Sequence, residues 1–185
     1  MKIWYNYIEA RREGVYYMID YREIERKAED IREKYHLSKN NVKLYEFLET
    51  LNIDAFKVPA LSYKGEEILG AIKSKNNKVA IIVNSKASTT MQRKIIAHEL
   101  GHYFLHIDKE NEYTEFCGFG EHTEKKELEA EYFSDCLLMN SEFIKEKYKE
   151  IRKIGFTKET TIDLLAKLFS VRSIDVARRV KQLNL

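Results

Sequence analysis

Hydrophobic positions recur along the chain in two periods, and these predict its elements. From Tyr21 to His36, Ile24, Ala28, Ile31 and Tyr35 recur at helical spacing, with Glu, Arg and Lys on the other faces. Val42, Leu44, Tyr45, Leu48 and Leu51 predict a second helix, capped by Asn40 or Asn41 and ended at Asn52. Ile53 to Val58 predicts a strand closed by Pro59. Ile68–Lys73 and Val79–Val83 predict two strands around the turn residues Asn76-Asn77. The second of these is apolar at every position, so it is expected to be covered on both faces. Thr89 and Gln92 form a predicted capping box for a helix running toward Ile107. Asp108 to Thr123 is polar and contains Gly118-Phe119-Gly120, which predicts a loop or irregular strand. Helices follow over Glu124–Met139, over Ser141–Ile154 (ended by Gly155), from Thr157 to Phe169, and from Ser173 to Leu183. The first twenty residues, with Tyr5, Tyr7, Tyr16 and Tyr17, receive no assignment. The sum is an α+β chain, mostly helical, with a small antiparallel or mixed sheet beside the helix that opens near Thr89.

Composition narrows the function classes. The 185 residues suffice for one domain with a real core. A net charge of +2 gives no global attraction to nucleic acid or acidic membranes. Two cysteines, Cys117 and Cys136, form no C-x-x-C pair and predict no disulfide framework, which points to a reducing compartment. Met1 to Glu9 lacks the apolar run of a signal peptide, and no stretch of about 18 apolar residues predicts a membrane span.

The predicted helix after Thr89 carries His98-Glu99-Leu100-Gly101-His102, an H-E-x-x-H string. Residues four apart share a helix face, so both imidazoles point the same way and can grip one zinc ion. Glu99 stands beside them as the base that takes a proton from water. Gly101 costs roughly 1 kcal/mol against alanine inside a helix. Either a backbone approaches closely at the metal, or two helices pack tightly there.

A catalytic zinc site needs a third protein ligand. Three candidates compete on the residues alone. Asp108 lies ten residues after His98, but Leu105 occupies the position where a sharp turn would need glycine. His106 continues the i, i+4 series, yet each such step climbs about 6 Å along the axis, which places it as a neighbour or core histidine. A carboxylate from Glu127-Leu128-Glu129-Ala130-Glu131 on the next helix is the third. Glu127 and Glu131 share a face there and Glu129 points elsewhere, so one glutamate could bind metal while the other accepts a ring N–H from a ligating histidine.

These pieces together resemble the ImmA/IrrE family of zinc metallopeptidases: His98-Glu-Leu-Gly-His-Tyr-Phe-Leu-His106, Glu127-x-Glu-Ala-Glu-x-Phe133 and Leu137-Leu-Met139, after a strand ending in Val83-Asn84. The tail Leu165-Ala-Lys-Leu-Phe-Ser-Val171 with Ala177-Arg-Arg-Val180 and Leu183 also matches, so the resemblance spans roughly residues 20 to 185. It implies a zincin-like domain over residues 21–140, an unassigned extension over 1–20, and a C-terminal helical segment over 141–185 packed on it. It implies Zn2+ held by His98, His102 and Glu127, with Glu99 as catalytic base. It also implies a cytoplasmic endopeptidase whose protein substrate is a helix-turn-helix repressor of a mobile element, phage or stress response, a regulator that family members cleave or antagonise. The chain departs from the family pattern at Glu131 (commonly Asn or Asp), Ser134 (usually Ala) and Asn140 (usually Pro). Tyr103, Tyr113 and His122 are candidates for the donor that steadies the oxyanion, and Gly118 to Gly120 for an edge that meets an extended substrate.

The tail admits a rival. Ala166, Ser170 and Val176 have helix-turn-helix spacing, and Arg172, Arg178, Arg179 and Lys181 add charge nearby, so the segment either reads DNA or simply completes the packing. The modest overall charge favours packing. A non-proteolytic module that works by contact, on a repressor or DNA, is thus the alternative to the peptidase.

Overall fold

Asp20 opens the first helix by accepting a hydrogen bond from the Glu23 N–H at 3.1 Å. In the computed structural model, which describes residues 18–63, 65–107, 112–117 and 124–185, that helix is α1 (Tyr21–Lys34). It is followed by α2 (Leu44–Thr50), β1 (Ile53–Val58), the short pair β2 (Ser62–Tyr63) and β3 (Glu66–Glu67), β4 (Gly70–Lys75) and β5 (Lys78–Asn84). Then come α3 (Thr89–Leu105), β6 (Tyr113–Cys117), α4 (Glu124–Leu138), α5 (Ser141–Lys153), α6 (Lys158–Phe169) and α7 (Ser173–Gln182). The α+β, mostly helical reading is the architecture found.

Four strands form one mixed sheet in the order β1-β5-β4-β6. β1 runs parallel to β5, whereas β4 is antiparallel to both β5 and β6. Asn76 and Asn77 both take left-handed backbone angles, φ 52° and 60°, as a two-residue hairpin between β4 and β5 requires. Ile81 and Val83 of β5 are buried with Ile72 of β4 and with Ile95, Ile96 and Leu100 of α3. Ala80 and Ile82 are only partly covered, and Phe56, paired with Ile82, is exposed. The expectation that β5 is covered on both faces is therefore corrected: the helices bury one face at Ile81 and Val83 and leave the other partly open. A regular strand, β6, lies in the segment expected to be a loop or irregular strand; its pairing with β4 supplies the order that its own composition does not.

Cap chemistry sets the helix limits, with small shifts from expectation. Lys43, not Asn40 or Asn41, precedes α2. Ser88, not Thr89, caps α3 by accepting from the Met91 N–H at 3.3 Å. The Gln92 side chain instead donates to the carbonyls of Ala87 and Ser85, tying down the incoming loop. Asn140 accepts from the Phe143 N–H at 2.8 Å and donates to Glu29 at 2.7 Å, so this departure from the usual proline both starts α5 and fastens it to α1. Gly155, at φ 102°, follows the end of α5. Thr157 caps α6 as expected. Arg172 rather than Ser173 stands at the cap of α7, where its backbone N–H donates to Asp175 at 3.3 Å.

The contact between α3 and α4 positions the chemistry described below. A Cβ on Gly101 would lie 2.8 Å from both Cα and O of Ala130, so the two helices meet backbone to backbone. Close approach and tight packing are one fact here. Gly101→Ala is expected to destabilise the fold. Overpacking costs roughly 1–3 kcal/mol, more than the roughly 1 kcal/mol that alanine recovers in helix propensity. A urea midpoint at or above that of the parent would contradict this.

Candidate metal centre

One turn of α3 separates His98 from His102, and their Nε2 atoms stand 3.1 Å apart. Both residues are buried. Because α4 crosses α3 at Ala130, Glu127, one turn earlier on α4, faces both rings. Its Oε2 is 3.2 Å from His98 Nε2 and its Oε1 3.2 Å from His102 Nε2. Donors bound tetrahedrally to zinc at about 2.0–2.2 Å sit roughly 3.3–3.6 Å from one another. The two imidazole nitrogens and the Glu127 carboxylate, one oxygen toward each nitrogen, are spaced near that range, and among the described residues this cluster has three members, as an open catalytic site requires. Glu99 is fully buried, with Oε1 3.4 Å from where a Cβ on Gly70 of β4 would lie. Glycine at that position, which nothing in the sequence marks out, lets the sheet approach both Ile95 and Glu99.

Each motif histidine is held from behind. His98 Nδ1 faces Glu131 Oε2 at 3.5 Å. Glu131 is gripped in turn by Arg178 of α7 at 2.6 Å and by Lys94 of α3 at 3.3 Å. His102 Nδ1 faces His106 Nδ1 at 3.1 Å and the Tyr113 hydroxyl at 3.3 Å. His106 Nε2 faces Glu129 Oε2 at 3.0 Å. The metal donors expected from the resemblance come together; His106 and Glu129 are neighbours of the cluster rather than members. Tyr113 meets His102 on the ring edge away from Nε2, which makes it a support of that ring rather than a group facing the metal donors. Tyr103 packs edge-on against the Phe104 ring at 4.9 Å. Asp108, His122 and Gly118–Gly120 lie outside the described residues.

A second acidic trio, Glu131, Asp135 and Asp175, sits beside the first. Cations already fill it. Lys94 is 2.7 Å from Asp135, Arg178 reaches Asp135 at 2.6 Å and Asp175 at 3.0 Å, and Arg172 is 2.7 Å from Asp175. It is an ion-pair network joining α3, α4 and α7. Sequence reasoning did not find it, although Lys94 lies four residues before His98 and so on the same face of the helix as the motif histidines, which was a usable signal. The same network consumes the positive charge of the tail. Arg178 faces the network, and Arg179 is fully buried against Glu25 of α1 and the Met139 carbonyl. Of the four cations named in the tail, Lys181 is the exposed one.

Compared with known proteins, the chain matches the peptidase family described as the IrrE N-terminal-like domain over residues 48–181. It belongs to that family. The match runs from the end of α2 through α7 and so takes in the whole histidine–glutamate triangle and the ion-pair network. It begins later than the resemblance suggested, leaving α1 outside it. The family is one of metallopeptidases, and a metal is implied for this member too. No curated protein matches the chain.

In this family member the metal-free site carries a proton. Burial opposes charge on His98, but the carboxylates of Glu127, Glu131 and Glu99 outweigh it and hold the ring up to about 9. Burial, opposed by Glu127 and reinforced by the neighbouring histidines, pushes His102 down to about 4. For Glu131, burial is overcome by His98, Lys94 and Arg178, and its carboxyl falls to about 2; Glu127 lies well below the usual range, held there by both histidines against its burial. At pH 7, then, His98 is protonated, and a cation must displace that proton. About one proton is expected to be released on zinc binding at pH 7, with affinity rising roughly tenfold per pH unit up to about 9 and levelling beyond it. The metal-free fold shows the opposite trend. Because the His98 value is raised above its ordinary 6.5, its contribution to stability is complete below about 6.5 and is lost as pH climbs through 9. Titration calorimetry in buffers of differing ionisation enthalpy counts the proton, and a count near zero at pH 7 would refute this assignment.

Proposed function

We propose that this chain is a zinc-dependent endopeptidase acting on a protein, specifically a helix-turn-helix transcriptional repressor of a mobile element, phage or stress response. The observation that carries the peptidase reading is the convergence of His98 Nε2 and His102 Nε2, 3.1 Å apart, on the Glu127 carboxylate, one oxygen of which lies 3.2 Å from each nitrogen, with buried Glu99 on the same helix. The choice of repressor rests on the family resemblance alone.

Zinc, when bound, would polarise the scissile carbonyl and make water acidic enough to lose a proton near pH 7. The chain's own residues do the rest. His98, His102 and Glu127 hold the ion. Glu99 takes the proton from the attacking water and passes it to the leaving amine. Its burial between α3 and β4 keeps bulk water from competing for that proton. Glu131 and the Lys94–Arg178 pair fix His98. No described helix is long and apolar enough to cross a membrane; a cytoplasmic site of action is proposed from the family resemblance. The inward pairing of Arg178 and Arg179 supports α7 as part of the peptidase body rather than a DNA reader.

Where the neighbouring open reading frame encodes a helix-turn-helix repressor, the test is to mix that purified repressor with the zinc-loaded protein. Defined fragments that vanish with a chelator and return with zinc support the proposal. An intact repressor at full zinc occupancy removes the substrate assignment, and failure to bind zinc removes the whole reading.

A further inference from the structure

We propose that His106 and Glu129 act as a positioning pair that sets the ring orientation and tautomer of His102, so that its Nε2 presents a lone pair to the metal. The inference rests on the metal-centre reading above.

The two motif histidines are supported differently. His98 meets a carboxylate directly, Glu131 at 3.5 Å. His102 reaches one only through a second imidazole: Nδ1 to His106 Nδ1 at 3.1 Å, then His106 Nε2 to Glu129 Oε2 at 3.0 Å. The chain of donors has one consistent direction. An ionised carboxylate offers no hydrogen, so His106 must donate from Nε2. Neutral His106 then has only a lone pair at Nδ1. Two lone pairs would repel at that distance, so His102 must donate from its own Nδ1. Its one ring hydrogen is thereby committed, and Nε2 keeps a lone pair for a cation; the Glu127 carboxylate 3.2 Å from Nε2 would otherwise draw a hydrogen there, and a cation between the two removes that competition. The Tyr113 hydroxyl, 3.3 Å from the same Nδ1, can share that hydrogen without reversing its direction.

The setting favours this order. The His106 side chain is 6% exposed and that of Glu129 19%, so water competes weakly for either. Lys125, 3.6 Å from Glu129, holds the carboxylate from the solvent side. The i, i+4 series His98, His102, His106 thus serves two ends. Its first two members face the metal, and its third passes a carboxylate's preference to the second.

Zinc affinity of the full chain, measured by competition with a chromophoric chelator, tests the pair. His106→Leu is expected to weaken binding 10–100-fold, the range typical of lost outer partners. His106→Asn, whose side-chain oxygen can stand where Nδ1 stood, is expected to recover most of that loss. Glu129→Gln, which can also donate, is expected to weaken binding by less than His106→Leu. Two-bond proton–nitrogen NMR on the zinc-loaded parent should show His106 protonated at Nε2 only and His102 at Nδ1, and this readout stands even if a variant fails to fold. Parent-like affinity in His106→Leu, equal losses in His106→Leu and His106→Asn, or a His106 ring protonated at Nδ1 would each overturn the pair. A parent that binds no zinc would instead overturn the metal centre itself.

Discussion

Glu99→Gln is expected to keep zinc and fold while losing about 10²–10⁴-fold in proteolysis, the usual worth of a positioned general base. The substitution is nearly isosteric, and Glu99 is fully buried between α3 and β4, where Oε1 comes within 3.4 Å of the place a Cβ on Gly70 would take. It belongs to none of the three metal donors. Zinc affinity should change little, because the Glu99 charge favours both the ion and the proton on His98 that competes with it. Removing that charge eases the competition as it weakens the attraction. Metal content, thermal midpoint and repressor cleavage measured on one preparation separate these effects. Cleavage at the parent rate would remove Glu99 from the mechanism. An undiminished biological effect without cleavage would favour the module that works by contact.

The local signals in the sequence were reliable where chemistry is local. His98 and His102 share a face because they are one turn apart, and Thr157, Asn76-Asn77 and Gly155 mark their turns by intrinsic preference. The acidic run on α4 was legible only in part. Periodicity placed Glu127 and Glu131 on one face, and both do face His98. It set Glu129 aside, yet Glu129 meets His106. What decides the partners is the depth at which α4 crosses α3, fixed by Gly101 against Ala130. That contact joins residues far apart in sequence and leaves no periodic trace. Strand β6 shows the same limit, since its order comes from β4. The tail arginines show it in charge. Arg178 and Arg179 look like surface cations until Glu131, Asp135 and Glu25 are brought against them.

Glu127→Ala is expected to cost more zinc affinity than the 10–100-fold typical of an outer partner, because it deletes a ligand. Its size should depend on pH in a defined direction. Glu127 also helps to hold His98 up to about 9, so the parent must expel a proton at pH 7. The variant loses part of that proton competition together with the ligand. The two effects oppose each other at pH 7, and only the ligand loss survives above pH 9, where His98 is neutral in both proteins. The affinity deficit should therefore be larger at pH 9.5 than at pH 7, and the variant should release less than the parent's one proton at pH 7. Because the metal-free fold is itself less stable at high pH, circular dichroism of the variant at both pH values must show it folded before the deficit is read as ligand loss. Chelator competition at the two pH values reads the deficit directly. A variant that binds zinc as tightly as the parent at pH 9.5 would show that Glu127 is not a ligand, and the triangle on α3 and α4 would need another third corner.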